Sequence, residues 1–241
     1  MEKLKSELEE LLHRLPDQTA FRQRLDNLVS VYPFNEYEYI ISTLLAMDVL
    51  NLDQYHELRD AYIARNLYLY IFEISGPRTF GEAWAQGHLK ELIPQLEKPT
   101  KRIDPSYSGQ YDLSLDGKIR IEVKASRAVD KDSDEPLYVK ALLSDSKKRF
   151  WMNFQQSKPA CCDVFVWIAV WRDRIRYWIL SSREVETYRG YSSGQHRGNV
   201  GEGQLHVREN NIHDFAAYEA KSTDLANAIR QAYKRQTTPQ T

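Results

Sequence analysis

The sequence predicts an α/β (α+β) protein in two parts, a helical N-terminal module over residues 1–74 and a mixed β-sheet flanked by helices over residues 75–241. Three observations predict it. Leucines and aromatics recur at helical spacing through the first 72 residues, with no convincing strand among them. Two alternating segments, Tyr111 to Leu115 and Lys118 to Ser126, bracket Asp116-Gly117, a turn signal. Val164 to Trp171 is continuously apolar, the mark of a strand buried on both faces. The character changes at Ser75-Gly76-Pro77, where Gly and Pro end helices.

In the N-terminal module Leu4, Leu8, Leu11 and Leu15 form one apolar stripe, and Phe21, Leu25, Leu28 and Tyr32 a second. Pro33 is expected to break the run, Asn35 to cap a third helix and Asp53 a fourth. Two helices joined by a short link at Leu50 to Leu52 fit a helix-turn-helix DNA reader, and equally any helical hairpin that covers a core.

The second part opens with a helix from about Thr79 to Leu96, kinked at Pro94, followed by a loop and the hairpin. An acidic loop, Asp130 to Glu135, leads to an amphipathic helix expected at Asp145 to Gln156, then the buried strand and an alternating return strand from Arg174 to Leu180. Five of the ten glycines fall in RGYSSGQHRGNVGEG, residues 189–203, which reads as a long loop. A last helix, capped by Ser222 or Thr223, carries Leu225, Ile229 and Tyr233 on one face, ahead of a frayed tail after Arg235.

Composition bounds the function. With 33 Lys+Arg against 34 Asp+Glu the net charge is −1, so any polyanion must be held by a local cluster rather than by the total. Such clusters stand at Lys98, Lys101 and Arg102, at Lys147 to Arg149, and at Arg172, Arg174 and Arg176, where a solvated face is the competing explanation. No apolar run approaches the roughly 20 residues that span a bilayer, and the only cysteines, Cys161 and Cys162, are adjacent, which suits small core residues in a reducing cytoplasm. No GxSxG, Walker A or GxGxxG motif occurs, and the histidines have no metal-like spacing.

The hairpin carries the chemistry. Leu113, Leu115, Ile119, Ile121 and Val123 are all odd-numbered, so they share one face only if paired residues sum to an even number. A three-residue loop with Gly117 left-handed achieves this by pairing Ser114 with Lys118, which sets Asp112 opposite Arg120 and leaves Asp112, Glu122 and Lys124 together on the non-core face. Two carboxylates at that separation suit Mg²⁺, which takes one or two carboxylates plus waters and substrate phosphate, and the ammonium suits a phosphate under attack.

Asp112 followed by Glu122-Val123-Lys124 on a β-hairpin resembles the D…(D/E)xK signature of the PD-(D/E)xK nuclease superfamily, over residues 78–180. Among its members the chain looks most like a type II restriction endonuclease. The resemblance implies a restriction-endonuclease-like core of mixed sheet flanked by helices and Mg²⁺-dependent cleavage of double-stranded DNA, with Mn²⁺ substituting. It implies metal ligation by Asp112 and Glu122, with Lys124 beside the scissile phosphate. A glutamate from the preceding helix often joins, and Glu82 is the candidate, although Thr79-x-x-Glu82 also reads as a capping box. Tyr111 replaces the proline of the signature, and Asp104-Pro105 is a rival outside the hairpin.

Lys101, Arg102, Gln155 and Lys158 are further candidates for DNA contact, as are Gln195, His196, Arg197 and Asn199 in the glycine-rich loop, since Arg pairs with guanine and Asn or Gln with adenine. A homodimer is expected, because two sites are needed to cut both strands together. A repair or structure-specific nuclease, or a non-catalytic nucleic-acid-binding protein, would share much of this pattern.

Overall fold

A computed structural model of the chain describes residues 2–26, 33–194 and 202–238. It divides into two compact units, Met1–Leu67 and Tyr68–Thr241. The first contains helices α1 (Glu2–Leu12), α2 (Gln18–Asp26), α3 (Pro33–Ala46) and α4 (Leu52–Arg65). Pro33 separates the helical runs by opening α3, in keeping with proline's fitness for a helix's first turn, and so Asn35 lies inside that helix rather than at its cap. Asn51, not Asp53, caps α4: its side chain accepts from the Gln54 N–H while the Gln54 side chain accepts from the Asn51 N–H. Leu12, Leu15, Phe21, Ile41, Leu44 and Tyr62 are buried together in this unit's own core, with Tyr37 stacked on Tyr62.

The boundary lies before Tyr68 instead of at Ser75, and burial explains the difference. Leu69, Ile71 and Phe72, in the 3₁₀ turn Leu69–Glu73, belong to the core beneath the second unit's main sheet. Arg127 fixes that turn. Its guanidinium donates to the carbonyls of Ile71 (3.1 Å) and Ile74 (2.8 Å) and lies over the Phe80 ring.

The second unit continues through a π-helix, Thr79–Ala85, into α5 (Gln86–Leu92). This helix stops two residues short of Pro94, because the residue before a proline is pushed out of the helical region; Ile93 is already non-helical. Next come β1 (Leu113–Leu115), β2 (Ile119–Arg127), β3 (Val129–Asp130), β4 (Phe150–Ser157), β5 (Val164–Val170) and β6 (Ile175–Ser181). The chain ends with α6 (Ser182–Thr187), β7 (Tyr191–Ser192), β8 (Gly203–Arg208), β9 (Glu219–Ala220) and α7 (Leu225–Thr237).

The strands form two sheets. One, ordered β1-β2-β5-β6-β9, is mixed: β2 and β5 are parallel and the other neighbours antiparallel. The other, β3-β4-β8-β7, is antiparallel throughout. The mixed sheet is covered on both faces. Leu89, Ile93, Leu225 and Ile229 from α5, the residue after it and α7 pack with Ile121, Val123, Val166 and Ile168 on one side. On the other, Phe165, Trp167, Trp178 and Leu180 meet Met152, Phe154, Leu205 and Val207 of the second sheet.

That second sheet overturns one expectation. Residues 145–156 are not an amphipathic helix; Phe150, Met152 and Phe154 alternate inward as a strand paired with β8, so pairing and burial override the helical look of the flanking lysines and glutamines. At the C-terminus neither Ser222 nor Thr223 caps the last helix, since a 3₁₀ turn, Ser222–Asp224, leads into it. Its expected face holds, with Leu225 and Ile229 buried and Tyr233 packed against the same core.

Residues 195–201 of the glycine-rich stretch lie outside the described residues, and β7 and β8 flank it. Gly203 shows why a glycine starts β8: a Cβ there would come within 2.1 Å of the Tyr191 hydroxyl, which donates to the Ser157 carbonyl at 3.0 Å. Gly203→Ala is expected to displace Tyr191 and lower stability by about 1–3 kcal/mol, measurable as a shifted denaturant midpoint. An unchanged midpoint would show that this crossing carries no strain.

Candidate active site

The β1–β2 hairpin has an even-sum register, as the apolar pattern requires, but a shifted one. Leu113 pairs with Ile121, Ser114 with Arg120 and Leu115 with Ile119. The loop is therefore Asp116 to Lys118, with Asp116 (φ 56°) and Gly117 (φ 64°) both left-handed, so Ser114 does not pair with Lys118 and Asp112 does not face Arg120. The shift brings Asp112 beside Glu122 and Val123 instead. Its backbone N–H donates to the Ile121 carbonyl at 3.0 Å, and its Oδ2 accepts from the Val123 N–H at 2.8 Å.

The face carrying Glu122 and Lys124 is not a solvated one. Their partners on β5 are Phe165 and Trp167, members of the aromatic core between the sheets, so both polar side chains stand at the edge of an apolar layer. Glu122 is only 8% exposed, and its Oε1 lies 2.7 Å from Lys124 Nζ. Asp112, Glu122 and Lys124 line one cleft of about 740 Å³, bounded by the π-helix on one side and β4 on the other.

Burial dominates the electrostatics. It pushes the Glu122 carboxyl up to about 7, with Asp112 adding to the rise and Lys124 opposing it. Asp112 is raised as well, first by burial and in smaller part by Glu82, against the lowering effects of the Val123 N–H and Lys124. Among the described residues no group of three or more acidic, histidine or cysteine side chains gathers, so the donor set is this carboxylate pair. A pair of hard oxygen donors fits Mg²⁺, and a cation between them favours the ionised forms that burial disfavours.

Gln86 is the helix residue that touches the pair, its Nε2 donating to Asp112 Oδ1 at 2.9 Å. The sequence points to Glu82 and gives no sign of Gln86. Glu82 lines the cleft, but its side chain is 64% exposed and ion-paired with Arg78 at 3.5 Å, and no side-chain capping bond forms at that helix start. One helical turn separates the two residues, and only the contact itself distinguishes them. Asp104 is no rival: it accepts from the Ser106 N–H and hydroxyl and from Tyr111, outside the cleft.

Of the residues expected at DNA, Gln155 and Lys158 line the cleft, Lys158 paired with Glu202 at 2.8 Å. Lys101 and Arg102 are exposed on a turn and do not line it. Gln195, His196, Arg197 and Asn199 lie outside the described residues. The other basic clusters are partly neutralised: Lys148 pairs with Asp130, Arg149 with Asp132 and Glu209, and Arg176 with Glu219.

No protein-family model matches the chain, and no curated protein matches it in sequence. Its chemistry is therefore read from its own side chains. What they provide is a buried carboxylate, Glu122, beside a half-buried one, Asp112, with an ammonium fixed by the first and an amide fixing the second, at the wall of a cleft walled on its far side by amide side chains of β4. No helix among the described residues is long and apolar enough to cross a membrane.

Proposed function

We propose that the chain is a Mg²⁺-dependent endonuclease of the PD-(D/E)xK type that hydrolyses phosphodiester bonds of double-stranded DNA. Within that class the reading is a type II restriction endonuclease acting at a specific short sequence. The observation that carries it is the convergence of Asp112, Glu122 and Lys124 in one cleft, with Glu122 Oε1 and Lys124 Nζ 2.7 Å apart. The resemblance in the signature residues and the mixed sheet beneath them support the same reading.

Asp112 and Glu122 would hold the ion, which when bound polarises a phosphoryl oxygen and lowers the pKa of a coordinated water. Gln86 and the Val123 N–H fix both oxygens of Asp112, so the carboxylate is presented without rearrangement. Lys124, held by Glu122, places a positive charge where charge builds on the phosphate. The apolar layer behind them excludes water and strengthens each of these interactions. A homodimer would supply the second site that a double-strand break needs.

The test is a time course of the purified protein on a phage-sized duplex in millimolar Mg²⁺. Discrete fragments are expected. A smear would retain the hydrolysis and remove the restriction role, leaving a repair or structure-specific nuclease. Intact duplex, plasmid and single-stranded DNA with both Mg²⁺ and Mn²⁺ would overturn the enzymatic reading and leave a nucleic-acid-binding protein.

A further inference from the structure

We infer that the outer face of the β4–β8 pair reads base edges in duplex DNA, making Asn153, Gln155, Gln156, Gln204 and His206 the specificity-determining surface of the proposed nuclease. The inference rests on the nuclease reading for the placement of DNA and on the sheet itself for the contacts.

Alternation defines the surface. Phe150, Met152 and Phe154 of β4 and Leu205 and Val207 of β8 are buried between the sheets, so the intervening residues of both strands stand on the opposite face. Asn153 pairs with His206, and beyond Phe154–Leu205 the register slips before Ser157–Gly203, which sets both Gln155 and Gln156 against Gln204. This is a β-bulge. Gln156 adopts φ 55°, a left-handed conformation that strains any residue but glycine, and both glutamines are exposed. The Tyr191 hydroxyl bond to the Ser157 carbonyl holds the next residue in place. Bulges of this kind re-aim side chains beside active sites.

The chemistry of the surface selects bases over phosphates. Phosphates are gripped by lysine and arginine, whereas planar amides pair bidentately with adenine and a ring N–H donates to guanine acceptors. Here four of the five residues are amides. The fifth, His206, accepts from the Trp151 indole N–H at Nδ1 (3.0 Å), so its neutral ring carries the proton at Nε2 as a donor. Asn153, half-buried on this face, carries both an amide donor and an amide acceptor, the pair that matches adenine. B-DNA's major groove admits a two-stranded β-ribbon, and within their sheet β4 and β8 have as further neighbours, among the described residues, the two-residue strands β3 and β7, while the Asn153 N–H of β4 donates to Ser126 Oγ of β2. Asn153, Gln155 and Gln156 line the same cleft as Glu122 and Lys124, so a duplex whose phosphate reaches the carboxylate pair brings base edges to the amides.

The experiment selects bound sequences from a randomised duplex pool in Ca²⁺, with wild type, Gln155→Ala, Asn153→Ala and Gln156→Gly, the last of which suits the left-handed backbone. Wild type is expected to enrich a short motif. The variants are expected to lose about tenfold to a hundredfold of the preference at one or more positions, a loss larger than any loss of affinity for a motif-free duplex. Unchanged motifs in all three variants, or no motif with wild type, would overturn the assignment. The two readings separate cleanly: a motif that the variants lose, with no cleavage in Mg²⁺, would leave base reading standing and remove the nuclease, whereas cleavage at the wild-type sites by every variant would do the reverse.

Discussion

Replacing Lys124 with alanine is expected to slow single-turnover cleavage by about a hundredfold to a thousandfold, the cost of removing one preorganised group that opposes charge in a transition state. The loss should fall on the chemical step. Lys124 Nζ sits 2.7 Å from Glu122 Oε1, on the strand that carries the carboxylate, so its position is fixed before any substrate arrives. Removing it also leaves Glu122 without an ion partner, but burial already lifts that carboxyl to about 7, and protonation relieves the unpaired charge. The variant should therefore stay folded and retain duplex binding in Ca²⁺ while turnover fails. Cleavage within a few-fold of wild type would remove Lys124 from the mechanism. Equal loss of binding and cleavage would make it a phosphate anchor.

Much of this site was legible because one rule, the two-residue period of a strand, constrains the hairpin from within. Five odd-numbered apolar residues demanded an even-sum register, and the structure has one. The same rule could not fix the loop, since sliding the turn by one residue preserves the parity. What decided it was two successive left-handed residues, Asp116 and Gly117, with the Asp116 carboxylate held by Arg230 from α7, 114 residues away. Sequence spacing carries no trace of such a contact. Gln86 was missed for the same reason: its bond to Asp112 spans 26 residues and depends on how a π-helix rotates the following turn.

β4 failed differently. Its alternation, Phe150, Met152 and Phe154 against Trp151, Asn153 and Gln155, is plain once the strand is known, but lysines and serines before it and the paired glutamines at its end mimic an amphipathic helix. The bulge at Gln155–Gln156 breaks the period where the pattern would have been confirmed. A second sheet then had no visible members, since β3 and β7 have two residues each and β8 follows the glycine-rich stretch. Without that sheet the Glu122 face is simply the non-core face of a hairpin, with nothing to mark it as covered. The burial of Glu122 beside Phe165 and Trp167 follows from the second sheet's covering that face of the first.

That burial makes a second large effect measurable without DNA. Glu122→Gln is expected to stabilise the cation-free protein at pH 8 by on the order of 3 kcal/mol, from a carboxyl displaced from 4.5 to about 7 at roughly 1.36 kcal/mol per unit. The direction follows from proton uptake. With the folded value above the unfolded one, the folded state holds the extra proton, so Glu122's contribution is fully present below pH 4.5 and is lost as pH rises through about 7. Glutamine resembles the protonated form and avoids the loss. Thermal unfolding in a chelator should accordingly show wild type falling below the variant between pH 5 and 8, and the two converging at acid pH. Adding Mg²⁺ at pH 8 should reverse the order, because an ion that binds only the folded wild type stabilises it in proportion to the logarithm of its concentration, while the variant has lost a charged ligand. A variant less stable than wild type at pH 8 in chelator would show that the Lys124 pairing outweighs burial. Equal stabilisation of both proteins by Mg²⁺ would place the cation somewhere other than between Asp112 and Glu122.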